Sequence, residues 1–106
     1  MAVNADLDSL KTFLGLQTTR DDDVLGWDLA AASRVVQQRV TVDAWATDDV
    51  QMAVLMTAAR LFARRRSPEG VAGFASDGLV VRIVTTDPDI RTLLEWALDL
   101  DKAGVA

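Results

Sequence analysis

The chain predicts a mainly α fold: a small helical bundle of about four helices, with a β-hairpin or extended arm between the third and fourth. Apolar residues recur at helical spacing, acidic clusters stand where helices should begin, and one glycine-containing stretch rich in β-branched residues breaks the pattern. The arm is expected over about residues 67–86.

The first helix is predicted over residues 5–14, where Leu7, Leu10 and Leu14 share a face and Gly15 stops the run. A second is expected over 20–40, with Leu25, Leu29, Ala32 and Val36 in one stripe, widened by Val24, Ala31 and Val35. Gly26 lies inside it and weakens it unless something packs close. Thr19, followed by Asp21, Asp22 and Asp23, reads as an N-cap with carboxylates in the first turn, where they complement the helix dipole. A metal site is the weaker reading of these aspartates, because consecutive helical residues point in different directions.

Thr47 with Asp48 and Asp49 repeats the capping pattern and opens a third helix over 48–66. Val50, Met52, Val54, Leu55, Met56, Leu61 and Phe62 make it apolar over most of its circumference, leaving a narrow polar strip of Gln51, Thr57, Arg60 and Arg64. Such a helix is expected at the centre of the bundle. Asp87-Pro88 starts the last helix, over 88–100, with Asp87 as cap and Pro88 at the first position, where a missing N–H costs nothing. Ile90, Leu93, Leu94, Ala97 and Leu98 form its apolar side, and the tail from Lys102 is expected to fray.

Between them, Ser67-Pro68-Glu69-Gly70 ends the third helix. Asp77-Gly78 is a hairpin signal, and Leu79 to Val84 reads as a strand opposed weakly by Val71 to Ala75. On a strand, Leu79, Val81 and Ile83 face one side and Val80 and Val84 the other, so both faces need cover. The hairpin then folds over its own helices or pairs with another copy or partner.

Composition bounds the rest. The 106 residues fit a single domain, 1–106, and 50% hydrophobic content supports a packed core. A domain this small gains from oligomerisation. Cysteine and histidine are both absent, which removes disulfides, thiolate metal sites and the usual nucleophiles and general bases. No metal, cofactor or catalytic residue is expected. The start lacks signal-peptide character and no apolar run is long enough to span a bilayer, so a soluble protein made in a cytoplasm, without membrane partners, is expected. The net charge of −5 argues against a general nucleic-acid coat.

An Arg-rich end to a central helix, then Ser67-Pro68-Glu69-Gly70-Val71-Ala72-Gly73-Phe74, a run carrying Arg82, and Asp87-Pro88-Asp89-Ile90 together resemble the head-to-tail adaptor (connector) proteins of long-tailed bacteriophages. Those of phages infecting actinobacteria are most similar. The resemblance covers nearly the whole chain, and Ser67 to Ile90 is its distinctive part. It implies a structural virion protein at the head–tail junction, assembled in the host cytoplasm. Such adaptors form a ring, usually a dodecamer, beneath the portal protein, and present a surface to the next neck, stopper or tail protein. DNA passes through the bore and touches it at most transiently and non-specifically. The ring requires a head-to-tail interface that closes.

Candidate contacts with a neighbouring copy or the portal are Val71, Phe74, Leu79, Val81, Arg82 and Ile83. Arg60, Arg64, Arg65 and Arg66 form a basic helix end that the helix dipole largely explains, with acidic portal residues or DNA as possible partners. Arg82 either snorkels to solvent or pairs with an acidic residue such as Glu69 or Asp87 of its own or another copy. Trp27, Trp45 and Trp96 are read as core by default, with Trp45 and Trp96 as interface candidates and Trp96 ranked first. A small helical DNA-binding regulator using the Arg-rich helix end is the alternative, and a carboxylate enzyme ranks below both.

Overall fold

The computed structural model describes residues 3–66 and 77–99, except for the side chains of residues 65, 66 and 77. Among these residues five α-helices follow in order: α1 (Leu7–Leu14), α2 (Asp22–Gln37), α3 (Asp48–Arg66), α4 (Asp77–Thr86) and α5 (Pro88–Leu94). A short 3-10 turn, Glu95–Ala97, continues α5.

The helix α3 is central and packs against all four others, most extensively against α2. Its Val50, Ala53, Val54, Leu55, Ala58, Ala59, Leu61 and Phe62 are buried with Leu10 of α1, Leu25, Ala32, Val35 and Val36 of α2, and Ile90 and Leu94 of α5. Half of the expected polar strip on α3 is buried. Thr57 is fully buried and its hydroxyl donates to the Ala53 carbonyl at 2.7 Å. Gln51 is buried too: its Nε2 donates to the Trp45 carbonyl at 2.7 Å while its Oε1 accepts from the Ala5 N–H at 3.0 Å. Buried polar groups must be paired, and both are. Arg60 is half-buried, and of the four only Arg64 is exposed.

The predicted hairpin is corrected. Asp77-Gly78 and Leu79 to Val84 form a helix, and no β-strand occurs among the described residues beyond an isolated antiparallel bridge between Val40 and Leu98. The opposing run, Val71 to Ala75, lies outside the described residues. Helical spacing gathers Val80, Ile83 and Val84 onto one buried face, with Leu79 and Val81 at its margins and Arg82 exposed. A strand would have split these residues between two faces, each needing cover; a helix buries them against α2, α3 and α5. Tertiary burial thus overrides the β-propensity of the valines and isoleucine.

The helix ends follow local chemistry. Asp87 caps α5 by accepting from the Asp89 and Ile90 N–H groups at 3.0 and 3.2 Å, with Pro88 at the start. Asp21, not Thr19, occupies the cap position of α2, without a side-chain capping bond. Thr47 precedes α3, but its hydroxyl turns back to donate to the Ala44 carbonyl at 2.7 Å. Asp48 is occupied otherwise, accepting from the Val3 N–H at 2.8 Å and tying the N-terminal segment to α3. Gly15 closes α1 with φ 74°, its N–H reaching the Lys11 and Thr12 carbonyls.

Both long-range ends are shorter than expected. The helix α2 stops at Gln37, and Arg39 to Thr41 then pairs with residues 97–99: the Thr41 N–H donates to the Ala97 carbonyl at 3.0 Å and the Asp99 N–H to the Arg39 carbonyl at 2.8 Å. This pairing holds the chain beyond α5 against the α2–α3 connection.

Two substitution pairs test this arrangement by urea denaturation. Ile83→Ala should cost about 2–5 kcal/mol and Arg82→Ala within about 0.5 kcal/mol, as expected for core and surface positions of α4. A β-carbon at Gly26 meets nothing within 4 Å, so Gly26→Ala should stabilise by about 0.5–1 kcal/mol through helix propensity, whereas Gly15→Ala should destabilise by about 1 kcal/mol because of its positive φ.

Candidate assembly surface

The described part of the predicted basic helix end is joined to the start of α5. Arg60 donates from Nε to Asp87 Oδ2 at 3.0 Å, while Oδ1 of the same carboxylate holds the cap. Asp87 therefore connects α3, the end of α4 and α5. Burial pushes its carboxyl pKa up, but the Ile90 N–H, the Arg60 guanidinium and the Asp89 N–H outweigh this and hold it below the usual 3.8. Asp6 is likewise lowered by the Ser9 N–H that it caps.

Within the chain, Arg60 and not Arg82 is the partner that Asp87 takes. Arg82 is exposed on α4, and its carbonyl accepts from the Thr86 hydroxyl at 2.6 Å. Arg64 is exposed on α3, and it shares a surface depression with Arg60, Ala63, Ile83, Thr86 and Asp87. Glu69, Val71 and Phe74 lie outside the described residues, as do the side chains of Arg65 and Arg66. Of the remaining arm candidates, Leu79 and Val81 are half-buried and Ile83, 3% exposed, is part of the chain's own core.

The tryptophans divide unexpectedly. Trp45 is half-buried against the core, but Trp96 is 56% exposed and Trp27 is 62% exposed. The default core reading therefore fails for Trp27, which lies on the outer face of α2. Trp96 and Val42, itself 79% exposed, flank the backbone pairing of Thr41 with Ala97. Large exposed apolar side chains on a domain this small are interface candidates. The periodicity also hid Asp28, which is completely buried on the inner side of α2 with Leu25, Ala31 and Ala32. Its place three residues from Leu25 and from Ala31 was the available signal.

Among the described residues, no cluster of three or more acidic side chains could hold a metal ion, and no helix is long and apolar enough to cross a membrane. The fold is a small helical bundle with exposed aromatic side chains and a charged helix end. Comparison with protein families supplies the particular kind: the family model for phage gp6-like head-tail connector proteins matches residues 4–95, and the chain belongs to that family. It is a family of structural phage connectors and not of enzymes. Neither the curated proteins nor the solved structures include a match.

The Asp87 junction has a definite pH signature. A lowered folded-state pKa gives stabilisation that is complete above the ordinary 3.8 and is lost as pH falls through the folded value. Asp87→Asn keeps a capping oxygen but not the charge, so at neutral pH it should cost on the order of 1 kcal/mol, as for a partly buried pair still open to solvent. The gap from the parent protein should close below the ordinary carboxylate range, measured by urea denaturation across pH.

Proposed function

We propose that this connector assembles as a ring, usually of twelve copies, beneath the portal protein at the capsid vertex, joins the head to the next neck, stopper or tail protein, and lets DNA pass through its bore. The family match over residues 4–95 carries this reading. The exposed Trp96 and Trp27 supply side chains suited to an interface, and a domain of 106 residues has a small core of its own. The connector acts in the virion at the head–tail junction, after assembly in the host cytoplasm.

Within this reading the stretch around Val71 and Phe74 reaches a neighbouring copy or the portal, with Leu79, Val81 and Arg82 on the adjoining surface of α4. Ile83 acts indirectly, by fixing α4 to the core. The basic helix end, Arg60, Arg64, Arg65 and Arg66, faces acidic portal residues or passing DNA, in contacts weak enough for DNA to slide. The rival DNA-binding regulator needs α3 as a recognition helix with a polar, base-reading face. Burial of Gln51 and Thr57 counts against it, as does the net charge of −5.

The test is addition of purified protein to portal-bearing heads, followed by negative-stain imaging. The parent protein should decorate the portal vertex, while Phe74→Ser and Trp96→Ala should each reduce occupancy at least about tenfold, in keeping with interface hot spots, and leave the helical circular dichroism unchanged. Normal decoration by both variants would remove these residues from the interface. Tight, sequence-dependent DNA binding at moderate salt would instead favour the regulator.

A further inference from the structure

A groove of about 420 Å³ runs along α5, lined by Arg39 and Arg91 together with Val84, Pro88 and Leu98. Its size falls within the range of about 300–1,000 Å³ usual for ligand sites. Two arginines enter it from distant parts of the chain, one just beyond α2 and one on α5. Glu95 also lines the groove, yet among the described residues neither arginine makes a salt bridge with it or with any other carboxylate. The Arg39 Nε is buried with no hydrogen-bond acceptor among the described residues. A buried guanidinium N–H without an acceptor is unusual and costly.

We infer that this groove receives an acidic segment of a protein partner, with an aspartate or glutamate presented between aliphatic side chains. The carboxylate pairs with Arg39 and Arg91, and the aliphatic neighbours lie on Val84, Pro88 and Leu98. Charge complementarity selects the carboxylate, because a guanidinium fork matches its geometry. The apolar lining of Val84, Pro88 and Leu98 favours a carboxylate flanked by aliphatic side chains over a nucleic-acid phosphate, whose flanking sugars are polar. Trp96 is not among the residues that line the groove, and the variants used below differ from those of the assembly test, so either proposal can fail without the other.

The probe is the peptide acetyl-Leu-Asp-Leu-Asp-amide, titrated into the isotopically labelled full chain and followed by NMR, including the arginine Nε–Hε signals. Shifts should centre on α5 and the Arg39 side chain, weaken with added salt, and be lost with the matching Leu-Asn-Leu-Asn peptide. Arg91→Gln, at an exposed position where folding is little affected, should weaken binding about tenfold, the loss expected for a charge-assisted hydrogen bond; Arg39→Gln should do the same, and Arg39→Lys should keep part of the affinity. Absence of shifts in the groove, an equal response to the asparagine peptide, or unchanged binding by Arg91→Gln would overturn the inference. So would a short DNA duplex that shifts the same signals more strongly than the peptide.

Discussion

The need to cover α3 on every side governs the rest of the fold. A helix whose sequence is apolar around most of its circumference has no face to offer water, and in so small a domain four other helices are drawn in to enclose it. Burying residues such as Leu61 and Phe62 contributes about 1.5–3 kcal/mol each, whereas an exposed ion pair contributes about 0–1 kcal/mol, so packing and not charge decides the arrangement. The polar groups on α3 then have to accommodate themselves. Thr57 bonds within its own helix, Gln51 clips the N-terminal segment and the Trp45 turn together, and Arg60 reaches the α5 cap.

The same constraint explains what was legible in the sequence. The Asp87-Pro88 start was readable because capping is local: the carboxylate, the proline and the N–H groups it serves lie within a few residues. The identity of α4 was not. Asp77-Gly78 followed by valines and an isoleucine favours a hairpin on local preference, and only the presence of an uncovered α3 makes Val80, Ile83 and Val84 more valuable on one helical face. Local propensity was outweighed by a surface supplied from elsewhere in the chain. The spacing of four between Val80 and Val84 was compatible with either period.

The surface was legible in kind but less so in its particular contacts. That Trp96 stands outward follows from its place beside the apolar stripe of α5, but Trp27 is also exposed although its neighbours Leu25 and Asp28 are buried. A single-residue step around the helix, about 100°, separates these outcomes, and composition does not reveal it. Pairing of Arg60 with Asp87 joins residues far apart in sequence. So does the meeting of Arg39 and Arg91 in one groove, which needs the backbone pairing of residues 39–41 with 97–99. Such contacts depend on the closed fold.

Replacing the expected strand at residues 77–86 with a helix also changes the physics available for assembly there. A strand edge joins partners through backbone hydrogen bonds, which tolerate many side chains. A helix has already satisfied its interior backbone groups and presents only side chains, so any contact made by α4 depends on residues such as Arg82 and the margins of Leu79 and Val81. Interfaces of that kind draw their strength from a few large anchors. Ile83 and its neighbours are committed inward, and Trp27 and Trp96 are the largest exposed apolar side chains among the described residues. An assembly built this way is specified by side-chain shape and charge, and its fidelity rests on holding α4 and α5 rigidly against α3.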